Sequence, residues 1–255
     1  MNTSLHPAPS LWRSYLAEAR AEALRTWRTP AFVLPTLLFP LVFYVLFALL
    51  LPGRWGELDK PLYLLATYGV FGIMGPALFG FGVGVAIERQ NGWLALKQVA
   101  PVPPGAYLFA KLCMSLGFGL LVVLLLSAAA WIAGEFRVDP LRWLALLGVL
   151  TVGTLPFCAL GLFIGSWARG EGAAAIVNII FLPMAVLSGL WIPLQVFPAW
   201  LGESAVIWPA WHLAQIALAV VGQAQDVAIG WHAAILACFA IGFLALAARR
   251  LQAEG

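Results

Sequence analysis

"IERQNGWLALKQVAPVPPGAYLFAK", residues 87–111, is a polar connector set between two long apolar runs. It carries Arg89 and Lys97, two of the three basic residues between Arg54 and Lys111. Asn91 is a candidate N-cap, and "GWLALKQVA" can form about two helical turns before Pro101 and Pro103 stop it. Trp93, Leu96 and Ala100 would then share one side, with Lys97 and Gln98 turned elsewhere. These residues allow two readings. The segment is either a lever that passes force between a partner and the flanking helices, or a loop closing a gap with Trp93 at a lipid surface.

The flanking runs decide what kind of chain holds this connector. Of 255 residues, 63% are hydrophobic and only 10% charged, and the mean hydropathy is +0.94. Soluble domains carry about a quarter charged residues, so this composition belongs to a protein dissolved in lipid. The net charge of +3 then marks the side of the membrane facing the cytoplasm rather than an anionic ligand. Cys113, Cys158 and Cys238 all fall in apolar runs without metal-ligand or CxxC spacing, and are expected as small packing residues.

A helix needs about 20 apolar residues to cross the hydrocarbon. Six runs qualify: 31–51, 62–87, 106–134, 141–167, 173–191 and 230–248. They are continuous rather than alternating, which argues against membrane-spanning strands. None has an acid in its interior, and Lys111 and Arg142 fall in first turns, from which they are expected to snorkel to the interface. The first run lacks a small-residue cleavage site behind it, so insertion through the first span is expected.

With the N-terminus inside, the inner segments hold Arg13, Arg20, Arg25, Arg28, Arg89, Lys97, Lys111, Arg169, Arg249 and Arg250, against Arg54, Lys60, Arg137 and Arg142 outside. Both termini are therefore expected in the cytoplasm. Residues 192–229 lack Lys and Arg. Their apolar part, 205–222, contains Pro209, His212 and Gln215, which suit a protein-covered segment. A seventh crossing would weaken the charge bias, so short helices or a re-entrant hairpin on the outer face are expected.

Before the first span, "LWRSYLAEARAEALRTWR" (11–28) places Trp12, Tyr15, Leu16, Ala19, Ala23 and Trp27 within an arc of about 120°, with Glu18, Glu22, Arg25 and Arg28 opposite. This pattern describes a helix in the inner membrane interface, or one packed on a cytoplasmic partner. Thr29-Pro30 breaks it and turns the chain into the bilayer. Gly80 and Gly84 are spaced for close helix packing. Asn178 is the one Asn or Gln within these spans, a candidate for a bond across a helix interface or a contact in a substrate path.

The order of these features resembles the membrane subunit of ABC-2 type ATP-binding-cassette exporters, and it does so over essentially the whole chain. In 87–111, Glu88, Arg89, Gly92 and Lys111 are similar to the family's Glu-Arg-x-x-Gly-x-Leu with a proline-containing exit and a basic residue. Trp93 stands where Thr is common. In 160–218, Ser188-Gly189, Pro193, Pro198-Ala199-Trp200 and Pro209 look like the family's pattern for the fifth span and outer hairpin, with His212 near a usual Tyr.

That resemblance implies an all-α membrane protein: an N-terminal interfacial helix, six transmembrane helices, a short cytoplasmic coupling helix between the second and third, and outer re-entrant or short helices between the fifth and sixth. It implies a single transmembrane domain, 1–255, acting as the permease of an ATP-driven exporter in the bacterial inner membrane. Cargo would be an amphipathic or hydrophobic drug, antibiotic, lipid or glycolipid-like compound. Partners would be two ATPase subunits, which bind the ATP and Mg2+, and a second permease, identical or different. No nucleic acid is expected. Glu88, Arg89, Gly92, Trp93, Leu96 and Lys97 would couple to the ATPase. Trp12, Arg25, Trp27 and Arg28 would seat the interfacial helix, and Asn178 would lie near the subunit interface.

The sequence agrees that the energy source is elsewhere. No GxxxxGK[ST] phosphate loop exists, and none of Lys60, Lys97 and Lys111 follows a glycine. His6, His212 and His232 are scattered, without HExxH or GxSxG context, so the chain is not expected to be an enzyme or to bind a cofactor or metal. With no acid or base expected inside a span, coupling to protons or sodium is disfavoured. The competing reading is a membrane scaffold or assembly factor that transports nothing.

Overall fold

A computed structural model describes residues 11–51, 55–56, 58–94, 96, 103–170 and 172–253. Helices follow one another as α1 (Leu11–Trp27), α2 (Pro30–Leu50), α3 (Lys60–Gln90), α4 (Pro104–Ile132), α5 (Pro140–Trp167) and α6 (Gly172–Leu187), then α7 (Ala199–Ser204), α8 (Pro209–Val220) and α9 (Ile229–Ala253). Among the described residues, α2, α3, α4, α5 and α9 are long and apolar enough to cross a membrane. The chain is a multi-pass membrane protein.

Local chemistry sets the boundaries. Pro30 opens α2 at its first position, where a missing N–H is harmless, and the Thr29 carbonyl accepts from Phe32 and Val33. Asp59 caps α3 by accepting from the Leu62 N–H at 3.2 Å. Asp139 caps α5 by accepting from Leu141 and Arg142. Inside α3, Pro76 removes a rung of the hydrogen-bond ladder, and the helix widens to π winding over Phe79–Val83 before resuming at Gly84.

α3 is the hub, enclosed by α2, α4, α5 and α8. Its Leu64, Tyr68, Met74 and Leu78 are fully buried, beside Leu126 of α4 and Leu150 of α5. The π segment rests on α5 at two glycines. A Cβ on Gly161 would meet the Ala77 carbonyl oxygen at 2.9 Å, and one on Gly165 would meet the Phe81 and Gly82 oxygens at 2.7 and 2.8 Å. Those contacts are backbone and cannot swing away. Gly165→Leu is therefore expected to destabilise the bundle by about 1–3 kcal/mol, read as a lowered thermal midpoint in detergent.

The predicted fifth span, 173–191, is shortened. α6 stops at Leu187 because Gly189 takes a left-handed conformation (φ 72°), with its N–H bonded to Val186 and that of Leu190 to Ala185. The Gly189 carbonyl in turn accepts from the buried Tyr63 hydroxyl at 2.8 Å. At about 1.5 Å per residue, this 16-residue helix is shorter than a full crossing. Beyond it lie two short helices, α7 and α8. α8 packs on α3, α5 and α9 with eight buried residues, including His212.

α2 and α9 sit at the edge of the bundle and leave Leu34, Phe39, Val42, Trp231 and Ile241 exposed. Gly80 and Gly84 face α4, where a Cβ would approach Met114 and the Lys111 ammonium.

Candidate functional site

α1 packs along α4, with Tyr15 edge-on to Phe109 and Trp27 against Phe118. The predicted apolar arc meets α4 only in part, and the most deeply buried residues come from the opposite, polar side. Glu22 and Thr26 are buried, while Trp12, Leu16, Leu24 and Trp27 are exposed. Arg28 is exposed as well. The helix therefore leaves Trp12 and Trp27 largely exposed and sends Glu22 into the bundle. Lys111 supplies the reason.

Lys111 lies on α4 and is only 1% exposed, with no route for its ammonium to snorkel outward. It donates to Glu22 Oε1 at 2.9 Å and to Glu88 Oε1 at 3.0 Å. Arg25 pairs with Glu22 at 2.8 Å and donates to Glu88 as well. The Tyr107 ring lies 5.2 Å beneath the Lys111 ammonium. Two carboxylates and two cations thus close a neutral cluster that ties α1, α3 and α4 together at one end of the bundle. Burial opposes the charge on Arg25, but Glu88 and Glu22 outweigh it and hold the guanidinium above its ordinary range. Gly84 makes room, since a Cβ there would sit 3.1 Å from Lys111 Nζ.

The expectation that no span carries a buried charge is therefore corrected. Lys111 lies within α4 and Glu88, also 1% exposed, within the last turns of α3. Sequence reasoning selected Glu88 and Arg25 but missed Glu22 and Lys111 as their partners. The available signal was a lysine inside an apolar run, which requires an acid wherever its ammonium is enclosed.

The turn after α3 presents the rest of the predicted set. Arg89 donates to the Ala168 carbonyl at 2.8 Å and to that of Ser166, closing the C-terminus of α5. Asn91 is the C-cap of α3 rather than the N-cap of a new helix: its N–H bonds to Ile87. Gly92 adopts φ 72°, the left-handed position that ends α3, and its carbonyl accepts from the Leu96 N–H to start the next turn. That turn carries Trp93 and Leu96, which are 45% and 66% exposed. Lys97 lies outside the described residues. Trp93 also borders a crevice of about 440 Å³ that runs past Arg25 and Glu88 to Phe32, Phe79 and Met114.

Asn178 on α6 is exposed and donates to the Ala174 carbonyl of its own helix at 2.9 Å. It lines a cavity of about 360 Å³ between α2, α3 and α6, whose walls include Phe39, Phe71, Phe79 and Phe181. Among the described residues no cluster of side chains could hold a metal ion.

The sequence model of the ABC-2 type transporter family matches residues 13–222, from α1 through α8. The chain belongs to that family. It is also 28% identical over 193 residues to a protein of Bacillus subtilis (strain 168) named "Putative transport permease YvfS", covering 75% of this chain and 79% of that one. The helical bundle is thus the membrane subunit of a transporter. Within this ABC-2 member, the charge cluster and the Gly92 turn sit side by side at the end of the bundle that carries α1.

Proposed function

We propose that this chain is the permease of an ATP-driven exporter of the bacterial inner membrane, with both termini in the cytoplasm. Two ATPase subunits supply the energy and hold ATP and Mg2+, and they dock on the turn that carries Trp93 and Leu96. The observation that carries this reading is the pairing of two exposed apolar side chains with a rigid base directly behind them. Force applied at Trp93 enters α3 through Gly92 and Glu88. The charge cluster passes it to α1 and α4, and Arg89 passes it to α5. A flexible loop would dissipate such a push; this turn has salt bridges and helix ends at its root.

The exposed faces of α2 and α6 receive a second permease, and the aromatic cavity at Asn178 belongs to the path between the two. Its apolar walls suit a hydrophobic or amphipathic cargo, moved outward. The test is isolation of the tagged chain from native membranes in mild detergent. An ATPase subunit in stoichiometric amount, with hydrolysis stimulated by the permease, is expected. A chain that performs its cellular role in cells lacking any such ATPase would be a scaffold, and the proposal would fall.

A further inference from the structure

At the end of the bundle opposite α1, two histidines twenty residues apart meet. His212 of α8 is fully buried and His232 of α9 is 8% exposed, with their Nδ1 atoms 2.8 Å apart. His212 Nε2 lies 2.9 Å from the Val206 carbonyl oxygen. Trp211 closes the pocket edge-on to both rings, at 4.9 and 5.3 Å.

This geometry assigns the protons. A carbonyl can only accept, so His212 Nε2 carries hydrogen and donates to Val206. Neutral His212 then has a lone pair on Nδ1, and the short contact requires His232 Nδ1 to donate to it. A first added proton has one place to go, the His232 Nε2 on the partly exposed ring. It converts the bond between the rings into a charge-assisted one and leaves it intact. A second proton would have to take the His212 Nδ1 lone pair. That removes the acceptor and sets two cations with ring centres 5.1 Å apart in a buried pocket.

We infer that His212 and His232 form a one-proton binding site that fastens the α7–α8 segment to the last span and releases it when forced to hold two. The chain Val206–His212–His232 joins the turn before α8, α8 itself and α9. Among the described residues, the other ionisable groups at this end are Tyr44 on α2, Asp59, Lys60 and Tyr63 at the start of α3, Glu135, Arg137 and Asp139 between α4 and α5, Arg142 on α5, Glu203 on α7, and Asp226 in the loop before α9. None bonds either ring: Lys60 donates to the Leu51 carbonyl and Tyr63 to that of Gly189. Among the described residues, His212 is the ionisable neighbour in contact with the His232 ring.

Burial holds His212 below its ordinary pKa. An unfolded chain takes that proton more readily than the folded one, so the stabilisation is complete above about pH 6.5 and declines as the pH falls through that value.

The experiment uses the full chain in lipid nanodiscs with 15N-labelled histidine. Neutral pH should show one Nε2–H and one Nδ1–H tautomer besides His6, and acidification to pH 5.5 should protonate one ring of the pair only. Two rings titrating independently, or two identical tautomers, would overturn the assignment. Denaturant unfolding in detergent from pH 7.5 to 5.5 provides the second arm. The unfolding equilibrium of the wild type and of His232→Asn should rise up to tenfold per pH unit below about pH 6. His212→Gln, whose amide can donate to Val206 and accept from His232 without titrating, should lose that rise. Equal pH dependence in all three proteins would sink the clamp.

Discussion

Lys111→Met will destabilise this protein more than any other single change at the candidate site. The substitution leaves Glu22 and Glu88 enclosed with only Arg25 to oppose them. Removing one member of a buried ion pair costs about 3–5 kcal/mol, because the remaining charge stays out of water without compensation. The expected result is a large fall in thermal midpoint and loss of monodisperse protein in detergent. The double change Glu88→Gln with Lys111→Met removes one charge of each sign and leaves Arg25 with Glu22. It should recover part of the loss, giving a coupling energy of about 1–3 kcal/mol in a double-mutant cycle. Strictly additive effects would mean that the two side chains do not act as a pair.

This prediction could not have been made from the sequence, and the reason is specific. Apolar run lengths made the five long helices legible, because crossing hydrocarbon imposes a length that composition reveals. The Thr29-Pro30 boundary before α2 was equally local, whereas the Asp59 and Asp139 caps of α3 and α5 lie just ahead of the apolar runs and emerged only with the structure. The fifth run misled at its far end, where Ser188-Gly189 is apolar enough to extend a span but the positive φ of Gly189 stops the helix. Periodicity on α1 failed for a different reason. It sorts residues by polarity and assumes that polar faces seek water, whereas Glu22 is drawn inward by a lysine 89 residues away, and Arg25, still 41% exposed, pairs with the two carboxylates. The meeting of His212 with His232 is likewise a product of packing between α8 and α9, and no spacing encodes it.

The same geometry divides the predicted coupling residues by what they can touch. Glu88 is enclosed and can act only by holding α1 and α4 against α3. Arg89 donates to two carbonyls at the end of α5. Arg89 is half-buried, so charge reversal there would disturb the end of α5 along with any docking contact.

Trp93 and Leu96 are the clean probes. Both are large, apolar and exposed on one short turn, the profile of an anchor that fills a partner's pocket. Truncating a central aromatic anchor typically costs about 2 kcal/mol or more in binding, which is about thirtyfold in affinity. Trp93→Ala is therefore expected to leave the thermal midpoint of the isolated chain nearly unchanged while weakening capture of the ATPase about thirtyfold. Transport-stimulated hydrolysis should fall with it. Leu96→Ala should act in the same direction with a smaller effect. The decisive comparison sets Trp93→Ala against Trp12→Ala, a still more exposed tryptophan on the outer face of α1. If both weaken the ATPase equally, the effect belongs to general membrane seating. If only Trp93 matters, force enters the permease at the turn created by Gly92, within a few residues of the buried cluster that can carry it onward.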